Sequence, residues 1–198
     1  YQYQLIAFRG LQIAIAGRHH MMLIGSPGSG KTMISKLGKI LQPPLDTDEI
    51  GELLRIESIQ SNGREFIIKR PFRAPHHTSS EIAIVGGGNQ IKMGEITLAH
   101  QGILYLDELA EFKPRVIQAL REPMEEQVIT ISRANGRITY PAEFLLLCSS
   151  NPCPCGYHSS REKNCLCSNK QIKNYISRFR GPFLDRIELE IALYKKKD

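Results

Sequence analysis

The segment MMLIGSPGSGKTMISK, residues 21–36, constrains the fold more than any other part of the sequence. Four apolar residues run directly into a loop rich in glycine and serine, and Lys31 and Thr32 then open a segment with helical spacing. The glycines permit backbone angles closed to other residues, so successive N–H groups can turn inward around an anion. A buried strand, a flexible loop and a helix in succession predict an α/β domain with an anion site at the loop.

The spacing Gly25-x-x-x-x-Gly30-Lys31-Thr32 is the P-loop pattern, which predicts binding of a nucleotide. Lys31 would reach the β- and γ-phosphates, the Thr32 hydroxyl would hold Mg²⁺, and the positive end of the helix dipole would add to the attraction. A Gly-rich surface turn is the alternative, and the pattern alone does not distinguish binding from hydrolysis. The predicted nucleotide-binding residues are Gly25, Ser26, Pro27, Gly28, Ser29, Gly30, Lys31 and Thr32.

Two later strands are predicted to carry polar chemistry at their ends. GILYLDE, Gly102–Glu108, is a short apolar run that ends in two acids, as in a buried parallel strand. Asp107 would bind Mg²⁺, and Glu108 would polarise the attacking water. Asn151, after the apolar strand Phe144–Cys148, could hydrogen-bond the γ-phosphate or the water. Each feature alone has a plain structural explanation, but the P-loop upstream favours the catalytic interpretation.

The segment RFRGPFLDRIELEI, residues 178–191, offers arginines for the charge that develops during phosphoryl transfer. An arginine from a neighbouring subunit can stabilise that charge by several kcal/mol. Arg186, which precedes an alternating strand-like run, is the first candidate, followed by Arg178 and Arg180. An ordinary surface arginine is the alternative for each.

Four of the five cysteines lie between Cys153 and Cys167, in two Cys-x-Cys pairs. A P-loop chain without an export signal is expected in the cytoplasm, where disulfides are rare, so the crowding indicates metal. Four thiolates, Cys153, Cys155, Cys165 and Cys167, could hold Zn²⁺ tetrahedrally. Reduced thiols and an iron–sulfur cluster are the competing interpretations. His158 is either a spare ligand or simply an exposed residue, and Cys148 is expected in the core.

Charge and hydropathy limit the partners. The net charge of +6 favours an anionic partner such as nucleic acid. No apolar run approaches the roughly 18 residues of a membrane helix, so no membrane partner is expected.

A β-hairpin is predicted within residues 127–142, QVITISRANGRITYPA, because polar and apolar residues alternate on both sides of Asn135-Gly136. Adjacent His76 and His77 point to opposite faces of an extended chain, so we interpret their segment as structural or coupling.

The blocks along the chain together resemble the magnesium-chelatase-like AAA+ family that includes ComM and YifB. The resemblance covers nearly the whole chain. The blocks that carry it are the P-loop, RPFRAPHHT, VGGG, GEITLAHQGILYLDEL, ISRANGRITYPAEF, NPCPCGY and GPFLDRIELEI.

The resemblance implies an α/β fold: a three-layer P-loop AAA+ core with a mostly parallel sheet, inserted β-hairpins and a small Cys-rich knuckle. Residues 1–198 would form one AAA+ ATPase core, with Walker A at 25–32, Walker B at 103–108, a hairpin insert at 127–141 and a Cys-rich insert at 152–168. Asn151 would be sensor 1, and Arg186 the arginine finger acting in trans. The family's Lon-like N-terminal domain and its helical lid are not expected within this sequence, so the isolated core is expected to hydrolyse ATP weakly.

The resemblance further implies a homo-oligomer, a hexameric ring that uses ATP and Mg²⁺ to move DNA, single-stranded or branched. The expected activity is branch migration in the recombination of transforming DNA. Arg133 and Arg137, near the hairpin tip, would grip DNA phosphates, with a solvated tip as the alternative. Two other functions stay open: a magnesium chelatase subunit that inserts Mg²⁺ into a porphyrin, and a nucleotide-gated scaffold that binds DNA or protein.

Overall fold

The computed structural model describes residues 2–60, 69–88, 92–133, 136–158, 160 and 163–194. The strands in these ranges are β1 (Met21–Gly25), β2 (Phe72–Arg73), β3 (Gly86–Gly87), β4 (Lys92–Met93), β5 (Ile103–Leu106), β6 (Val128–Arg133), β7 (Gly136–Pro141), β8 (Leu145–Ser150) and β9 (Leu189–Leu193). The α-helices are α1 (Gln2–Gly17), α2 (Lys31–Leu41), α3 (Thr47–Gln60), α4 (Glu81–Val85), α5 (Glu95–Leu98), α6 (Pro114–Ala119), α7 (Arg121–Glu126) and α8 (Asn169–Ile176). Two short 3-10 helices span Leu109–Glu111 and Leu184–Arg186.

Five of these strands form a parallel sheet in the order β2-β5-β8-β1-β9. The strand before the P-loop therefore lies between β8 and β9, and β5 lies one strand further away. The carboxyl ends of β1, β5 and β8 meet at one edge, where ligands of parallel α/β sheets bind. The predicted parallel α/β fold is confirmed.

Side chains that alternate along the sheet separate the core into two layers. Met22, Leu104 and Leu146 pack on one face with residues of α4, α5, α6 and α8. Met21 and Leu147 pack on the other face with residues of α1 and α2. Because successive strand residues point to opposite faces, uniformly apolar strands supply both cores. Helices thus cover both faces, and the three-layer arrangement is confirmed.

The predicted hairpin is present as the antiparallel pair β6 and β7, with Val128 opposite Pro141 and Arg133 opposite Gly136. Asn135, on which the turn prediction rested, lies outside the described residues. A second antiparallel pair joins β3, in the VGGG segment, to β4. The fold therefore carries inserted hairpins, as the resemblance implied.

The segment that follows β5 forms two short helices. α6 begins at Pro114 and ends at Ala119, and α7 begins at Arg121. Pro123 lacks the N–H that a continuous helix would direct at the Ala119 carbonyl, and its ring would clash with that carbonyl. In the part of the chain that the structure describes, no helix combines the length and apolar character needed to cross a bilayer.

Candidate functional site

The P-loop joins β1 to α2 in the manner the sequence predicts. Gly28 and Gly30 have φ values of 75° and 95°, in the left-handed region that favours glycine. Gly30 is the N-cap of α2, so the free amides at the start of this helix face the loop. The backbone around the loop is therefore shaped for an anion.

Lys31 is buried, and its ammonium group lies across the base of the loop. Nζ donates hydrogen bonds to the carbonyl oxygens of Gly25 (2.6 Å) and Ser26 (3.0 Å) and to Oδ1 of Asn151 (3.1 Å). Burial lowers the pKa of Lys31, although Asp107 and Glu108 oppose that shift. The predicted phosphate-binding cation and the amide at the end of β8 are thus in direct contact.

Thr32 and Asp107 form a second contact between the P-loop helix and the sheet. Thr32 Oγ1 donates to Asp107 Oδ2 at 2.9 Å, and Ser149 Oγ donates to the other carboxylate oxygen, Oδ1. Burial favours the neutral carboxyl, but the hydrogen bonds from Ser149 and Thr32 outweigh it and lower the pKa of Asp107. Asp107 is therefore an anion at neutral pH. Ser149 was not predicted from the sequence, because a serine in an apolar strand gives no distinctive signal.

Glu108 has left-handed backbone angles, φ 53° and ψ 49°, which are uncommon for a residue with a side chain. Such conformations cluster at functional sites. The side chain is 56% exposed, and Oε2 lies 3.6 Å from Nδ1 of His77. The His77 ring packs against that of His76, with ring centroids 4.1 Å apart, so the expectation that the two side chains point to opposite faces is wrong. The histidine segment, interpreted above as structural or coupling, thus lies beside the predicted catalytic acid.

The three candidate arginines differ in their surroundings. Arg186 contacts Glu125 and the Pro182 carbonyl through its guanidinium group. Arg178 donates to the Ala110 carbonyl at 2.9 Å, and Arg180 is exposed. Arg186 thus lies in a turn between α8 and β9, and its role in trans stays a prediction.

The four clustered cysteines converge on one point. All four sulfur atoms lie within 4.8 Å of one another. The Cys153, Cys155 and Cys165 sulfurs are 3.4–3.7 Å apart. A tetrahedron with Zn–S bonds of about 2.3 Å has S···S edges of about 3.8 Å, so the spacing fits zinc.

The backbone favours a thiolate within this cluster. Hydrogen bonds from the N–H groups of Tyr157 and Leu166 lower the pKa of Cys155 to about 6. The N–H of Cys167 also favours a Cys165 thiolate, but desolvation and the neighbouring sulfurs raise the pKa of Cys165 to about 12. His158 is exposed and donates its backbone N–H to Cys153 Sγ at 3.2 Å. Cys148 is buried in β8, as expected of a core residue.

The predicted DNA contacts lie on the β6–β7 hairpin. Arg137 is exposed in β7, opposite Ser132 of β6. Arg133 ends β6, but its side chain lies outside the described part of the structure. The hairpin is anchored by Ile129 and Ile131, which are buried.

The parallel sheet, the P-loop and the hairpins define a P-loop protein of the AAA+ class. The crystal structure of NtrX from Brucella abortus in complex with ADP has a similar fold, with a TM-score of 0.61 and 16% identity. That alignment covers 98% of this chain and 36% of NtrX.

The chain belongs to the family described as "Magnesium chelatase, subunit ChlI", whose profile matches residues 2–198. It is 44% identical over 191 residues to protein YifB of Escherichia coli (strain K12) and 45% identical over 189 residues to the competence protein ComM of Haemophilus influenzae. These alignments cover 93% and 94% of this chain. The chain spans 37% of the length of each relative.

Proposed function

We propose that this chain is the ATP-hydrolysing core of an AAA+ motor that acts on DNA. The observation that carries the proposal is the pair of contacts at the P-loop, Lys31 to Asn151 and Thr32 to Asp107. These contacts bring a phosphate-binding cation, a hydroxyl, a carboxylate and an amide to one edge of the sheet. Such a set matches the requirements of phosphoryl transfer, which depends on positioning and charge stabilisation.

The oxygen atoms at the site fit a magnesium ion. Thr32 Oγ1 and Asp107 Oδ2 are 2.9 Å apart, and adjacent ligands of an octahedral ion at about 2.1 Å are separated by about 3.0 Å. These two residues would hold Mg²⁺, which when bound supplies positive charge against the phosphate oxygens. Lys31 would exchange its carbonyl acceptors for phosphate oxygens. Glu108 would accept a hydrogen bond from the attacking water, and Asn151 would orient the γ-phosphate.

Three features support DNA as the substrate on which the motor works. The chain carries a net charge of +6. Arg137 is exposed on the β6–β7 hairpin. The relative ComM is named a competence protein. Branch migration by a ring of subunits, hexameric in the full-length protein, is the activity we propose.

A second candidate function is that of a magnesium chelatase subunit, which the family description favours. In that case ATP hydrolysis would drive insertion of Mg²⁺ into a porphyrin. A nucleotide-gated scaffold is disfavoured, because Glu108 lies at the site and a site without turnover has no need of a catalytic acid. The discriminating experiment measures the ATPase rate of the full-length protein alone, with single-stranded DNA and with branched DNA. Stimulation by DNA supports the motor, whereas a rate indifferent to DNA and raised by porphyrin and its insertion partners supports the chelatase.

The four-cysteine cluster is proposed as a structural zinc site. The support is the convergence of four sulfur atoms within 4.8 Å of one another, three of them 3.4–3.7 Å apart. A closed Cys₄ site contributes folding energy and leaves no open position for chemistry.

A further inference from the structure

The loop that carries the first cysteine pair lies directly on the P-loop. Gly156, next to Cys155, is buried and has a φ of +83°. A Cβ atom at this position would lie 2.6 Å from Cδ of Pro27 and 3.8 Å from Cγ of Asn151. Only a residue without a side chain allows the two loops to approach this closely.

The position of Gly156 is set by the sulfur cluster. Its N–H donates to the Cys153 carbonyl at 2.9 Å, which closes a tight turn between Cys153 and Gly156. Cys153 is buried, and both cysteines of the turn belong to the four-sulfur group. An ion that holds the sulfur atoms therefore also fixes the turn.

Few apolar side chains are buried among the residues of this loop that the structure describes. Cys155, Cys165 and Cys167 are only half-buried, and Leu166 is 90% exposed. A segment that buries so little apolar surface obtains little stabilisation from packing. Metal binding would supply the missing stabilisation, because the free energy of binding a structural ion also stabilises the fold of the loop that carries its ligands.

The far side of the contact is the nucleotide site. Pro27 lies within the P-loop, and Asn151 accepts the hydrogen bond from Lys31. The turn at Gly156 therefore lies against a loop predicted to surround the phosphates and close to the amide that contacts the phosphate-binding lysine.

We propose that a zinc-class ion on Cys153, Cys155, Cys165 and Cys167 braces the P-loop through Gly156, so that metal and nucleotide bind cooperatively. The inference rests on the proposed nucleotide-binding function. By linkage, the ion raises nucleotide affinity, and nucleotide raises metal affinity by the same factor. Coupling between sites typically amounts to 5–150-fold, and we expect on the order of tenfold here.

The first test compares nucleotide binding by zinc-loaded and chelator-treated full-length protein. A fluorescent ADP analogue is titrated into each form, and circular dichroism reports whether the treated protein stays folded. We expect about tenfold weaker binding without the metal. Competition with a chromophoric chelator, with and without saturating ADP, should give the same factor for zinc. Equal nucleotide affinity in both folded forms, or a protein that binds no metal, would overturn the coupling while leaving the nucleotide site intact. Absence of nucleotide binding in every form would overturn the proposed function and the coupling together.

The second test keeps the metal in place and alters the contact. Gly156→Ala in zinc-loaded protein should weaken ADP binding by a similar factor without loss of zinc, because the new methyl group displaces the rigid Pro27 ring. Gly181→Ala is the matched control, since Gly181 has a φ of +86° and no atom within 4 Å of an added Cβ. Both variants carry the same backbone strain, and only Gly156→Ala touches the P-loop. If the two variants bind ADP equally well, the contact does not transmit the effect of the metal and the inference is wrong.

Discussion

Lys31 Nζ donates a hydrogen bond of 3.1 Å to Oδ1 of Asn151, a residue 120 positions further along the chain. The contact exists because β1 and β8 are neighbours in the parallel sheet, so their carboxyl ends open onto the same cleft. The lysine is therefore held at the base of the P-loop by protein oxygens before any phosphate arrives. Such preorganisation reduces the reorganisation needed when phosphate oxygens replace these acceptors.

Opposite effects are expected from Lys31→Ala and Glu108→Gln. Lys31→Ala should abolish tight ATP binding, because Lys31 meets the phosphates in the ground state. Glu108→Gln should keep ATP binding and lose turnover, because Glu108 acts on water only as the reaction proceeds. Equilibrium binding of an ATP analogue and steady-state phosphate release measure the two effects. The control is Lys36→Ala, which removes an exposed lysine of the same helix. Normal turnover in the Glu108→Gln protein would show that this role assignment is wrong.

Ser149→Ala should raise the Mg²⁺ concentration needed for half-maximal ATPase activity, on the order of tenfold, because its hydroxyl orients the predicted metal-binding carboxylate. The substitution should also move the acid limb of the pH–rate profile to higher pH. Hydrogen bonds lower the pKa of Asp107 despite its burial, so losing the Ser149 hydroxyl raises it.

The sign of the accompanying stability change follows from the same pKa. A lowered carboxyl pKa contributes stability above the unfolded value of about 3.9, and that contribution is lost as pH falls through the folded value. The variant should therefore lose stability at neutral pH and approach wild type in acid, as measured by urea unfolding. The control is Ser150→Ala, because the Ser150 hydroxyl donates to the Asn151 carbonyl. An unchanged acid limb in Ser149→Ala would contradict the argument.

Zinc is expected at about one ion per chain. Elemental analysis of protein purified without chelators tests the stoichiometry, and X-ray absorption should give Zn–S distances of about 2.3 Å. Cys165→Ser should release the ion, whereas Cys148→Ser should retain it, since Cys148 is buried in the sheet away from the cluster. Metal-free protein with four reactive thiols at these positions would refute the site.

The sequence predicts the parts of this fold that follow from local pattern. The apolar runs at β1, β5 and β8 predict a parallel sheet. The alternation of polar and apolar residues on each side of Asn135-Gly136 predicts the hairpin. The alternating run before the C-terminus begins at Ile187, but β9 begins at Leu189. An alternating pattern of polar and apolar residues predicts that a strand is present more reliably than it predicts where the strand begins and ends.

Contacts between distant loops could not be predicted in the same way. The approach of His77 to Glu108 and of Gly156 to Pro27 depends on the path of loops that lack periodicity. The local composition around Gly156 does not indicate that this residue faces Pro27, 129 positions away. The site residues named by motif were therefore accessible from sequence, whereas the residues that support them were not.

Arg137→Ala should weaken DNA binding about equally for all sequences. An exposed arginine that contacts a phosphate contributes counterion release, so the variant should also reduce the slope of log affinity against log salt by about one. Fluorescence anisotropy with labelled single-stranded and branched DNA, at several salt concentrations, measures both quantities. The control is Arg9→Ala, which removes an exposed arginine of α1. An unchanged salt slope in Arg137→Ala would remove the hairpin from the DNA interface.

Arg186→Ala should leave ATP binding intact and remove hydrolysis, if Arg186 completes the site of a neighbouring subunit. An arginine finger contributes about 10³-fold or more in rate, so even partial rescue is measurable. Mixing full-length Arg186→Ala protein with full-length Glu108→Gln protein should restore some turnover, because a mixed interface can pair an intact site with an intact finger. Each variant alone, at the same total concentration, is the control. Weaker ATP binding by an Arg186→Ala monomer, or no recovery in any mixture, would show that the role in trans belongs to another residue, with Arg178 and Arg180 the next candidates.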